Sequence, residues 1–81
     1  MTRSELLNRL INEGIPHDRY ALDGGVQDNR LCMERKNNRW FVYYCEKGQR
    51  MRMKDFLLEE VAYEHFYQEL MALLGREAKT T

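Results

Sequence analysis

The chain predicts an α+β domain: an antiparallel meander of three or four strands, with an N-terminal and a C-terminal helix packed on one face. Three observations carry that prediction. Apolar residues recur at helical spacing near both ends, they recur at a period of two in the middle, and polar, turn-prone clusters separate the middle segments. The 81 residues make one domain, 1–81, with a single core.

The first helix is predicted over residues 4–13. Ser4 is a good N-cap, and Glu5 lies near the positive end of the helix dipole. Leu6, Leu7, Leu10 and Ile11 form the apolar side. Gly14 supplies a left-handed stop, Ile15 can pack back, and Pro16 forbids continuation. The sheet is predicted over residues 20–54. Tyr20, Ala21 and Leu22 form a short extended piece ending at the turn signal Asp23-Gly24-Gly25. Strands follow from Arg30 to Arg35, from Trp40 to Cys45 and from Arg50 to Lys54, joined by turns at residues 36–39 and 46–49. A long helix is predicted over 57–74, with Leu58, Val61, Ala62, Phe66, Leu70 and Leu73 on one face and Gly75 ending it. Residues 76–81 read as a frayed tail.

Alternation assigns the strand residues to sides. Leu31, Met33, Trp40, Val42, Tyr44, Met51 and Met53 share the side that two amphipathic helices would cover. Cys32, Glu34, Phe41, Tyr43, Cys45, Arg50, Arg52 and Lys54 share the other side. A symmetric register sets Tyr43 opposite Arg52, Phe41 opposite Lys54 and Glu34 opposite Tyr43. Only the loop around residues 14–30 is left to cover this second side, so an aromatic and basic open face is expected.

Three readings of that face stand side by side. Long Arg and Lys stems can simply cover Phe41 and Tyr43. Aromatic rings among cations can stack the bases of single-stranded RNA. Tyr, Phe and Arg also anchor protein interfaces. Charge bears on the choice: 13 Lys+Arg balance 13 Asp+Glu, so the broad basic field of a nucleic-acid binder is missing and nucleic acid is not the expected partner. A symmetric homodimer through the open faces is a further possibility.

Catalytic sets are not evident. His17 lies in the loop Pro16-His17-Asp18, and His65 lies at helical spacing four residues before Glu69, where pairing with it accounts for the histidine. A Cys–His nucleophile would need Cys32 or Cys45 within reach of His65, from the opposite sheet face. Gly24-Gly25 lacks the strand–loop–helix context of a phosphate loop, and no metal-ligand spacing occurs, so no cofactor or metal is expected. No segment reads as a secretory signal or membrane span, and the two cysteines read as small, half-buried thiols of a cytoplasmic protein. A disulfide between them is the alternative in an oxidising compartment.

The centre of the chain carries a recognisable series: Tyr20, Leu22, Gly24 and Gly25; Cys32 and Glu34; Trp40-x-Val42-Tyr43-Tyr44-x-Glu46-x-Gly48; then Ala62 and Phe66. Over about residues 20–70 it resembles small bacterial immunity proteins of polymorphic or contact-dependent growth-inhibition toxin systems. The resemblance implies a non-catalytic antitoxin that binds one cognate toxin domain, often a nuclease, and blocks its active site or substrate surface. Such families keep fold better than interface, so the interface is read from this chain's own residues. A mixed surface of Asp23, Asp28, Glu34, Glu46, Arg50, Arg52 and Lys54 with Phe41 and Tyr43 is expected, its two signs of charge favouring specificity and fast association.

Overall fold

The computed structural model describes residues 1–75; the predicted tail over 76–81 lies outside the described residues. The order is α1 (Arg3–Asn12), a 3-10 turn (His17–Arg19), β1 (Tyr20–Ala21), β2 (Arg30–Lys36), β3 (Arg39–Glu46), β4 (Gln49–Phe56) and α2 (Glu59–Leu73). The α+β architecture with a helix at each end is as predicted.

Helix α1 is capped two residues earlier than Ser4. Thr2 is the N-cap, its hydroxyl accepting from the Glu5 N–H at 3.1 Å while the Glu5 carboxylate accepts from the Thr2 N–H at 2.8 Å. That reciprocal pair is a capping box and satisfies two otherwise orphaned donors. The stop is as expected: Gly14 takes a φ of 70°, and the Ile15 N–H returns to the Leu10 carbonyl at 3.0 Å, burying Ile15.

The four strands lie in sequence order. β2, β3 and β4 form the expected antiparallel meander, closed by two-residue turns at Asn37-Asn38 and Lys47-Gly48. All four turn residues have positive φ, between 52° and 76°, the geometry that matches strand twist and that Asn and Gly tolerate best. The first strand departs from the meander. β1 pairs parallel to β2, Tyr20 with Leu31 and Ala21 with Cys32. Gly24 and Gly25, at φ 82° and 92°, carry the chain across the sheet face instead of reversing it beside β1.

The register also departs, in one place with large consequences. Glu34 pairs with Phe41 and Cys32 with Tyr43, so Glu34 is diagonal to Tyr43, not opposite it. Between β3 and β4, Tyr44 pairs with Met51 but Val42 pairs with Lys54, leaving Arg52 and Met53 together opposite Tyr43. This is a β-bulge, with Arg52 at φ 56°. Every side chain after it changes face. Met53, expected in the core, joins the open side; Lys54 and Phe56, opposite Val42 and Trp40, join the helix side.

The main core lies between the helices and the sheet. Leu6 and Leu10 of α1, Leu31, Met33 and Val42 of the sheet, and Ala62, Tyr63, Phe66, Leu70 and Met71 of α2 are all buried there. Each fully buried large apolar side chain contributes about 1.5–3 kcal/mol. The buried stripe of α2 is rotated from the one expected: Tyr63 and Met71 are inside, while Leu58, Val61 and Leu73 are exposed.

Candidate protein-binding face

The face of the sheet away from the helices is less open than the sequence suggests. Residues 22–29 cross it and seal one end. Cys32, Tyr43 and Cys45 form a second, smaller core there, with Ala21 and Phe41 packed against it. The Asn29 N–H donates to the Cys45 carbonyl at 2.7 Å, and Asp28 Oδ1 accepts from the Gly48 N–H at 2.9 Å. Gly24 sits so near that a Cβ on it would come within 3.0 Å of the Glu34 Cβ. Backbone thinness at Gly24 is therefore what lets the loop lie on the sheet.

Tyr43, expected as an exposed anchor, is 1% exposed. Its phenolic oxygen lies 2.8 Å from the Gly25 carbonyl and 2.7 Å from Glu34 Oε1, so one proton serves two acceptors. The Arg50 guanidinium stands over its ring, 5.2 Å from the centroid, and 3.7 Å from Glu34 Oε1. Burial pushes the phenol up to about 12, Arg50 opposing and Glu34 reinforcing the rise. The result is a Glu34–Tyr43–Arg50 unit fixed by packing on one side and open to solvent on the other.

Beside this unit lies a shallow hollow of about 180 Å³ bounded by Lys36, Phe41 and Met53. Phe41 is half-buried and Met53 is 48% exposed. Phe41 is flanked by Glu34 on β2 and Asp55 on β4, and Asp55 is held by Arg39 at 2.7 Å. An apolar centre of one ring and one thioether, edged by ion pairs of both signs, is the anatomy of a protein contact.

The expected interface residues thus separate. Glu34, Phe41, Tyr43 and Arg50 come together. Arg52 and Lys54 do not: the bulge sends Arg52 to Glu69 of α2 at 3.0 Å and Lys54 to the helix side beside His65. Asp28 is used to tie the covering loop to the β3–β4 turn at Gly48. Asp23 pairs with Arg3 at 3.1 Å, and Glu46 ends β3 opposite Gln49. Met53 and Lys36 belong to the face and were not expected on it. One signal for Met53 is legible afterwards. Met51 and Phe56 are separated by an odd number of positions, so an unbroken strand cannot turn both inward.

A larger hollow, about 530 Å³, opens where β1 stops and the edge of β2 continues alone. Arg3, Asp23, Arg35 and Trp40 line it, and the Arg35 guanidinium lies 5.1 Å from the Trp40 ring centroid. Its cations are matched by Asp23, Glu34 and Glu59 on the same walls, so it has no net preference for an anion.

The sulfurs of Cys32 and Cys45 are 3.4 Å apart, free and buried. Burial, then the contact with Cys45, pushes the Cys32 thiol up to about 12, which keeps it neutral and a poor nucleophile. His65 is on the other side of the sheet, 3.9 Å from Glu69 and 5.0 Å from the Phe56 ring. Among the described residues no group of three or more His, Cys, Asp or Glu side chains could hold a metal ion, and no helix is long and apolar enough to cross a membrane. No family model, curated protein or solved structure matches the chain.

Proposed function

We propose that this chain is a non-catalytic inhibitor of the small bacterial immunity kind, which binds a cognate toxin domain in the cytoplasm and occludes its active site or substrate surface. The toxin class that the resemblance implies is a nuclease. The observation that carries the reading is the Phe41–Met53 centre bordered by the Glu34–Tyr43–Arg50 unit. It is preorganised in part, because Tyr43 and the loop over it are already packed and lose little freedom on binding. A contact of about 800 Å² per partner is a large share of so small a surface and acts by steric cover.

The two other readings are weaker on the same geometry. A stacking platform needs several exposed rings, whereas Tyr43 is inside and Glu34 would sit against the phosphates. A homodimer through two open faces loses Tyr43 as an anchor, because it is buried, and keeps only Phe41 and Met53 as its apolar contact.

The test is a tagged pull-down from the native organism at physiological salt, with and without added nuclease. A stoichiometric protein partner that survives nuclease, arrests growth when expressed alone and is neutralised by co-expression of this chain supports the proposal. Partners that vanish with nuclease, or recovery of RNA, overturn it in favour of nucleic-acid binding.

A further inference from the structure

The start of α2 shows solvent a set of apolar side chains that neither the core nor the helix cap explains. Leu57 and Leu58 are each 65% exposed and Val61 is 47% exposed. Leu58 is the N-cap residue and makes no side-chain hydrogen bond there, at a position where Ser, Thr, Asp or Asn stabilises a helix and Leu does not. Beside Val61 a shallow hollow of about 480 Å³ is floored by Phe56 and His65 and edged by Glu60 and Glu64. Burial lowers the His65 imidazole from its ordinary value, with Glu69 opposing the shift and Lys54 adding to it, so near neutral pH the floor of the hollow carries no charge.

We infer that this patch docks a basic amphipathic segment of another protein, its apolar face on Leu57, Leu58 and Val61 and its cations on Glu60 and Glu64. Charge selects this occupant. Arg52 on the same flank is engaged by Glu69, and Lys54 lies on the sheet side of His65 with Tyr44 and Glu69, while Glu60 and Glu64 edge the hollow itself. A second copy brought up by a two-fold axis would set the same two carboxylates against one another. An anionic lipid surface meets the same repulsion. A helix with Leu on one face and Lys or Arg on its flanks satisfies both the apolar centre and the acidic edge. The patch is on the helix layer and the Phe41 face is on the far side of the sheet, so this inference stands apart from the function proposed above.

The probe is an amphipathic helical peptide of leucine and lysine, titrated into the full chain while backbone amide shifts are followed. The same peptide with glutamate for lysine, and phosphatidylglycerol vesicles, are run beside it. The basic peptide is expected to move amides of residues 57–65 and to bind about tenfold more weakly to Leu58→Ser/Val61→Ser. Glu60→Gln/Glu64→Gln weakens it several-fold, and Phe41→Ala leaves it unchanged. Amide dispersion reports the fold of each variant, and single Val61→Ser carries the comparison if the double variant loses it. Equal binding of both peptides, shifts mapping elsewhere, capture by vesicles, dimerisation through these residues, or no binding each overturns the inference.

Discussion

At Tyr43 a single phenolic proton serves the Gly25 carbonyl and the Glu34 carboxylate, and that sharing ties the covering loop to the sheet. Replacing Tyr43 by Phe keeps the packing and removes the tie. Tyr43→Phe is expected to cost about 1–2 kcal/mol in denaturant unfolding, since Glu34 keeps Arg50 but the Gly25 carbonyl loses its hydroxyl. The same residue sets an alkaline limit. Its pKa rises from 10.0 to about 12 on folding, so its contribution is fully present below pH 10 and is lost as pH climbs from 10 to about 12. Cys32, raised from 9.0 to about 12 by burial, acts in the same direction from pH 9 upward. Stability measured against pH should therefore fall less steeply through this window in Tyr43→Phe than in the parent, without becoming flat. An unchanged slope would mean that Tyr43 titrates normally in the folded chain.

At the scale of elements, α2 begins on an exposed leucine where a capping side chain is missing. Leu58→Ser supplies the cap at little loss of burial and is expected to raise stability by about 1 kcal/mol, or roughly 4–8 °C in Tm for a domain of this size. A lower Tm would show that Leu58 packs more than its exposure indicates. The elements themselves were legible because each is written in a local code. The 3.6-residue recurrence marks both helices, alternation marks β2 and β3, and Asn37-Asn38 and Lys47-Gly48 suit tight turns. What was not legible depends on contacts far apart in the chain. The bulge places Arg52 at positive φ, a residue type that announces no such conformation, and its insertion reverses the facing of Met53, Lys54 and Asp55. The parallel pairing of β1 depends on where residues 22–29 travel, and Gly24-Gly25 permits a crossing as readily as a reversal. Of the candidate face, Glu34, Phe41 and Arg50 could be read from alternation. The burial of Tyr43 could not, because it comes from a polar loop with no periodicity of its own.

Across the whole molecule, the sheet separates two surfaces of different character. One side carries the Phe41–Met53 centre among paired charges; the other carries the exposed start of α2 beside Glu60 and Glu64. A small domain with a fixed, mixed-charge face has what the proposed inhibitor needs to cover a partner without changing shape. The most direct measurement compares two baits, the parent chain and Phe41→Asp, in a nuclease-treated lysate of the native organism. Phe41 is half-buried at the edge of the smaller core, so circular dichroism of the variant accompanies the comparison, and Met53→Asp, at a more exposed position, serves if Phe41→Asp is unfolded. The account predicts one stoichiometric protein partner held by the parent and lost by the folded variant. The same partner held equally by both baits would contradict the assignment of this face, and retention of nucleic acid in its place would contradict the function.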